Sequence, residues 1–481
     1  MMIKSIKLNA LLNVIRQLCV IIFPIITFPY ISRVLGAANY GKVTFTQSII
    51  SYFSLIAALG ISNYAIREGA ALRGKVTELN KFFSEIYILN LISTFIAYIL
   101  LFLTVVFVNK LHEYSILILI LSATILLTTV GVDWIYTVYE DFSYITIRSI
   151  LTQIVSLFLM FILVRQKDDY VTYAFVLMVS SGAANILNMF HARKYFRFHF
   201  CKIKDTFKHL KSVFILFFNN IMISIYINSD TTIIGFMRGD YEVGLYSAVS
   251  KLYSVIKNVI NAIIVVAIPK ASYYINNKEN KKYNILINKI INCVITFLFP
   301  TVTGLFIESR FIVTLISGDE YAESYIALRF LCVAMFFSLF AAIFTNLVLL
   351  PFRQETLILK ASTISAFVNI VLNFLFIHYW GYTGAALTTA LAEFIVAIIC
   401  YKKSKRYFEL KINVKDCIVC IFGCVGIVCI CILSHLLFSY TIFNEFITII
   451  MAVICYFVIL LCCKNSLIMD VLQDLKDVLK K

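Results

Sequence analysis

Ile99-Leu100-Leu101-Phe102-Leu103-Thr104-Val105-Val106-Phe107-Val108 is a run of ten residues with one hydroxyl and no charge. A transmembrane β-strand alternates apolar and polar positions over about ten residues. This run does not alternate, so it reads as the interior of a bilayer-crossing helix. Followed outward to the polar breaks on either side, it covers 83–108. A crossing needs roughly 20 mostly apolar residues. The same reading along the chain gives 14 spans: 9–32, 43–66, 83–108, 114–138, 144–164, 171–191, 212–236, 244–269, 287–312, 324–350, 356–377, 384–401, 416–438 and 442–463.

Composition agrees. The 481 residues are 61% hydrophobic and 14% charged, with mean hydropathy +0.91. A soluble globular chain is roughly 45–50% apolar and about 25% charged. A soluble enzyme, a disordered chain and a disulfide scaffold are therefore excluded. The 13 cysteines are scattered through apolar runs, and Cys417, Cys420 and Cys424 read as small hydrophobes. No His or carboxylate cluster accompanies them, so no metal site is read there. The first apolar stretch, from Leu8 to about Ile31, is too long for the core of a cleavable signal peptide. The expected fold is an all-α polytopic membrane protein.

The net charge of +16 is out of character for so apolar a chain. Its placement explains most of it. With an even number of spans both termini share a side, and 31 of the 42 Lys and Arg fall in the loops and tails of that side. They include Arg67, Arg73, Lys75 and Lys81 after span 2, and Arg193 to Lys211 after span 6. Arg148 is counted with them. The opposite side has seven. Cytoplasmic loops carry such an excess of positive charge, so both termini are expected in the cytoplasm. Every loop on the other side is short.

A repeat divides the chain. Gly36-Ala37-Ala38-Asn39-Tyr40-Gly41 follows span 1, and Gly239-Asp240-Tyr241-Glu242-Val243-Gly244 follows span 7, 203 residues later. A tight turn between helices uses glycine's permissive φ. Two pseudo-symmetric six-helix bundles result, a transporter plan. They comprise residues 1–195 and 212–402, a basic cytoplasmic linker over 196–211, and helices 13 and 14 with a cytoplasmic tail over 403–481.

Ionisable groups inside spans default to functional hypotheses. Arg16, Lys251, Lys257 and Arg329 are candidate cavity cations that bind substrate. Asp133, Asp230 and Glu393 are candidates for ion coupling or gating, and Glu85 is near enough to a boundary to snorkel. Arg16 and Asp133 each lie roughly 8–10 Å from the same face, and Asp230 and Lys251 roughly 9–10 Å from the other. Matched depths predict two ion pairs. Pro24, Pro29 and Pro300 are candidate hinges, because proline removes a ladder bond and bends a helix.

Two stretches carry a resemblance. Phe28-Pro29-Tyr30-Ile31-Ser32-Arg33-Val34-Leu35-Gly36-Ala37-Ala38-Asn39-Tyr40-Gly41, continued by Ala58 to Glu68, resembles the first-loop signature of polysaccharide exporters. Phe367 to Phe374 and Gly381-Tyr382-Thr383-Gly384-Ala385-Ala386 fit the C-terminal half of the same family. Ala65, where that signature has glycine, is the one departure. Over most of its length the chain resembles the Wzx-type O-antigen flippases, in the superfamily with MATE exporters and the lipid II flippase.

The resemblance implies movement of undecaprenyl-pyrophosphate-linked oligosaccharide, an O-antigen or capsule repeat unit, from the cytoplasmic to the periplasmic leaflet of the bacterial inner membrane. Alternating access is the expected mechanism, driven by an ion gradient or by removal of product through polymerisation. No cofactor and no nucleic acid enter. The partners are the lipid-linked oligosaccharide, membrane lipids, and the polymerase and chain-length regulator of the pathway. Buried cations suit a pyrophosphate, and the chain has no nucleotide-binding P-loop. A small-molecule exporter of MATE type is the alternative, but one that carries cationic drugs should present mainly buried carboxylates. An O-antigen polymerase should carry a large periplasmic loop, and none is present.

Overall fold

The computed structural model describes residues 6–479 apart from 200, 412, 439 and 440, and no side chain is described for 6–18, 20–22, 203, 219, 223, 471 and 474–479. The described residues form helices and connecting turns, without a strand. In chain order they are α1 (Ile6–Ala58), α2 (Ile61–Ala71), α3 (Val76–Phe107), α4 (Ser115–Gly131), α5 (Asp133–Val138), α6 (Phe142–Leu163), α7 (Tyr170–Ala192), α8 (Ile203–Phe207) and α9 (Leu210–Met237). There follow α10 (Asp240–Asn276), α11 (Asn280–Ile307), α12 (Ser309–Ser317), α13 (Tyr325–Ile343), α14 (Glu355–Ser404), α15 (Val414–Leu437), α16 (Ile442–Cys462) and α17 (Ser466–Leu479). The apolar stretch 99–108 is the C-terminal part of α3 and its first flanking residue.

By length and apolarity, 11 helices among the described residues can cross a membrane, or 12 if the bent pair Leu210–Met222 and Ser224–Met237 is one crossing. The expected 14 is reached only by counting two long helices twice. α1 has 53 residues and α14 has 50. A straight helix of 50 residues is about 75 Å long, more than twice a hydrocarbon core of about 30 Å. Both are broken by glycine. Gly36 in α1 has φ 71 and ψ 173, and Gly381 in α14 has φ 56 and ψ −139. A side chain would be strained at either. The break in α1 is therefore at Gly36 and not at Pro24 or Pro29, which stay in helical conformation. Proline's fixed φ is compatible with a helix even where its missing N–H weakens it.

The chain forms two compact units, Met1–Gly244 and Leu245–Lys481. In the first, α1 packs on α3 and α9, and α4 on α7. Thus α9, the opening helix of the second sequence half, packs within the first unit. Polar side chains bond these helices where apolar burial gives no net drive in lipid. Asn90 Nδ2 and Ser93 Oγ of α3 both donate to the Ala57 carbonyl of α1, at 2.9 and 2.6 Å. Thr94 meets Thr129 of α4 at 2.7 Å. At one end Phe83, Trp134, Ile135 and Tyr136 form an apolar core with α2 and α5.

In the second unit α13 packs on α14, and α15 on α16 and α11. The family-like stretches of α14 meet across the Gly381 break. Asn373 bonds Asn369 at 3.2 Å and accepts from Thr388. A Cβ on Gly384 would overlap the Phe376 carbonyl oxygen. Tyr456 of α16 donates to Thr296 O of α11 at 2.8 Å. Outward-facing positions are apolar, such as Phe102 at 67% and Val266 at 80% exposure, as lipid contact requires.

Candidate functional site

The two glycine repeats meet. Gly36 and Gly239, the first glycine of each, have φ 71 and 96, the turn role expected of them. Gly41 and Gly244, the second of each, have another role. A Cβ on Gly41 would overlap the carbonyl oxygen of Asp240 and reach the Gly244 nitrogen at 2.8 Å. A Cβ on Gly244 would overlap the Ala37 carbonyl oxygen. Two backbones touch here because both lack side chains. Lys110 Nζ closes the same end by donating to Gly235 O at 2.6 Å, and Tyr114 Oη donates to Asp240 Oδ1 at 2.6 Å.

Of the candidate cations, Lys257 of α10 has the most developed surroundings. Its ammonium lies 3.4 Å from Glu393 Oε1 of α14 and 3.1 Å from the Tyr253 hydroxyl. Tyr253 donates to the same carboxylate oxygen at 3.4 Å. Tyr253 and Lys257 are four residues apart, so they share a helix face. The Glu393 side chain is 10% exposed and that of Lys257 31%. The two were expected in separate roles, as a substrate cation and a coupling carboxylate; the fold makes them partners. The Lys257 contacts, at 3.1 and 3.4 Å, are longer than the 2.7–2.9 Å typical of charge-assisted hydrogen bonds.

Lys251, six residues earlier on α10, is exposed and makes no ion pair or hydrogen bond among the described residues. Asp230 is buried on α9 beside Tyr52 of α1. Thr232 donates to Ser48 Oγ at 2.9 Å and meets the Tyr52 hydroxyl at 3.2 Å. Arg329 of α13 is held by Phe306 O and Ser309 Oγ, both at 3.0 Å, and lies over the Phe306 and Tyr325 rings. Its guanidinium ties α13 to the end of α11 and the start of α12. Pro300 sits inside α11 without a break in the helix.

Arg16 lies outside the described side chains, so its expected pairing with Asp133 has no description. Asp133 pairs with Arg148 Nη1 of α6 at 2.9 Å and accepts from Asn188 Nδ2 of α7 at 3.1 Å. Sequence reading placed Arg148 among loop charges because it is near the start of its span; the helix turns it inward to 8% exposure. Arg148→Met should lower the unfolding temperature in detergent. The loss expected is about 1–3 kcal/mol, since a half-exposed Asp133 keeps part of its hydration. Asp133→Asn in the same chain should recover part of it. An unchanged unfolding temperature in Arg148→Met would show that the pair contributes nothing.

Glu85 does not snorkel. It is 1% exposed and bound by Lys208 Nζ at 2.8 Å and His209 Nε2 at 2.9 Å, and His209 Nδ1 meets the Tyr64 hydroxyl at 2.8 Å. No sequence-local signal links Glu85 to a linker 124 residues away.

A family described as polysaccharide biosynthesis protein matches residues 6–275, more than half of the chain. A Shigella dysenteriae protein named for O-antigen transport is 23% identical over 396 residues, covering 80% of this chain and 96% of that one. Among solved structures, the lipid II flippase MurJ in an inward closed conformation superposes with TM-score 0.74 at 18% identity, covering 96% of this chain and 100% of that one. An inward-facing multidrug resistance MATE transporter of the MOP superfamily gives 0.63 at 12%, covering 80% and 93%. At such identities these likenesses establish the fold, and the family match establishes kinship: the chain belongs to the polysaccharide biosynthesis protein family, on the fold of MOP-superfamily transporters.

Proposed function

We propose that this protein is a flippase that carries an undecaprenyl-pyrophosphate-linked oligosaccharide from the cytoplasmic to the periplasmic leaflet of the bacterial inner membrane, with both termini cytoplasmic. The observation that carries the reading is the Lys257–Glu393 pair, an ammonium held inside a membrane helix by one exchangeable carboxylate. A pyrophosphate is a stronger partner for an ammonium than a carboxylate and displaces it. When the substrate leaves, Lys257 returns to Glu393, and the empty carrier resets with no net charge at this position. The O-antigen transporter and lipid II flippase among its relatives and neighbours support a lipid-linked glycan as cargo.

The same geometry bears on coupling. With an anion on Lys257, Glu393 loses its counter-ion and is one candidate for the coupling group. Asp230 is proposed as another. Arg16 is proposed as a further substrate cation, and the polymerase and chain-length regulator as partners that consume the product.

The test is complementation of a flippase-null strain whose other pathway enzymes make the cognate repeat unit. The chain should clear accumulated undecaprenyl-linked repeat units and restore surface polysaccharide. Persistent accumulation despite normal protein level would overturn the reading.

A further inference from the structure

We propose a divalent transition-metal site, suited to zinc, formed by Glu308, His435 and Glu445 at the face where α15 turns into α16. Glu308 follows the last residue of α11, His435 is in the last turn of α15, and Glu445 is in the first turn of α16. One ligand atom from each lies within 4.8 Å of the other two. The two carboxylate side chains are 4% and 3% exposed, and His435 is 40% exposed, giving the site one open side.

Three observations point to a cation. First, His435 is the sole ion-pair partner of either carboxylate among the described residues. When both carboxylates are ionised, even an imidazolium leaves one negative charge uncompensated, and buried charges are paired or bind metals. Second, Glu308 Oε1 is buried and makes no hydrogen bond. Third, the spacing fits a metal better than hydrogen bonds. His435 Nε2 is 3.4 Å from Glu308 Oε1 and 3.4 Å from Glu445 Oε2. Charge-assisted hydrogen bonds are about 2.7–2.9 Å, and one N–H cannot point at two acceptors. Donor atoms around a tetrahedral zinc with bonds of about 2.0–2.1 Å are about 3.3–3.4 Å apart.

Imidazole favours a transition metal over magnesium or calcium. The ligand set of one His and two Glu leaves a fourth position for water. Cys431, one turn before His435, and Glu445 both lie within hydrogen-bond reach of Glu308. The metal would fasten the α15–α16 hairpin to the end of α11.

The test uses the full chain in detergent, stripped with chelator and titrated with Zn²⁺ alone, then with Co²⁺. One saturable equivalent is expected at micromolar or lower concentration. The Co²⁺ form should show the visible bands of a tetrahedral nitrogen–oxygen site without thiolate charge transfer. His435→Ala and Glu445→Gln should each weaken binding at least tenfold, whereas Cys431→Ser should keep the equivalent. A second reading needs no variant: Zn²⁺ should slow modification of His435 by diethylpyrocarbonate at least tenfold, followed by mass spectrometry, with the other histidines as controls. The proposal is overturned by absence of a saturable equivalent, by an equivalent that survives His435→Ala, or by unprotected His435. Those results would mean that the three groups share protons instead, or that metal sits on cysteines.

Discussion

Gly41→Val should leave no folded protein in the membrane, and Gly41→Ala should cut its accumulation at least fivefold. The reason is where the new atoms would go. A first carbon on residue 41 overlaps the Asp240 carbonyl and crowds the Gly244 nitrogen. Both neighbours are backbone, so no rotamer change relieves the clash, and α1 must move away from the start of α10. Overpacking a core costs about 1–3 kcal/mol, occasionally more; with two backbones as the obstacle, 3–5 kcal/mol is the expected scale, among the largest effects of one substitution. Moving the start of α10 also strains the short Tyr114–Asp240 bond at that end. Gly244→Ala should behave alike, because its Cβ overlaps Ala37 O, whereas Gly74→Ala meets nothing and should accumulate normally. Quantitative blotting of membranes and fluorescence size-exclusion chromatography would read this. Normal levels of monodisperse Gly41→Val would show that the contact is dispensable.

Lys257→Met should abolish glycan export. It also strands Glu393, a carboxylate with 10% exposure, in a membrane helix. Removing one partner of a buried pair costs about 3–5 kcal/mol; with a third of the Lys257 side chain exposed, roughly 2–4 kcal/mol is expected, so protein level falls with transport. Lys257→Met with Glu393→Gln separates the two effects. That double variant has no stranded charge, so its level should return to normal while export stays below a tenth of wild type. The charge swap Lys257→Glu with Glu393→Lys should restore level and part of the export, since the cation stays in the same cleft of α10 and α14. Export is read as clearance of undecaprenyl-linked repeat units. Full export by the uncharged double variant would remove Lys257 from substrate binding.

The apolar runs made the fold legible in the sequence, because a bilayer accepts few structures. Fourteen runs became fewer, longer helices because Gly36 and Gly381 interrupt helices without ending them. Lys257 and Glu393 were each legible as costly charges in spans, but their partnership was not, as 136 residues separate them. Depth matching did not find Arg148 as a partner of Asp133, because it compares only distance from a face and ignores which side of the helix a residue occupies. Arg148 was on the right side and Asn188 completed the set. Gly41 and Gly244 showed as a repeat, yet their function is contact between backbones, which spacing along the chain does not encode. The Glu308, His435 and Glu445 set is likewise assembled from three helices.

Arg148 and Lys208 carry a consequence for how the chain is made. In the folded protein their charges are spent on Asp133 and Glu85. On the proposed orientation, both also belong to the positive loops that hold the cytoplasmic side during insertion. Those carboxylates sit on other helices, so during synthesis both cations are still unpartnered and count in full toward retention. Each residue is thus read twice, by the insertion machinery as a free charge and by the finished protein as a counter-ion.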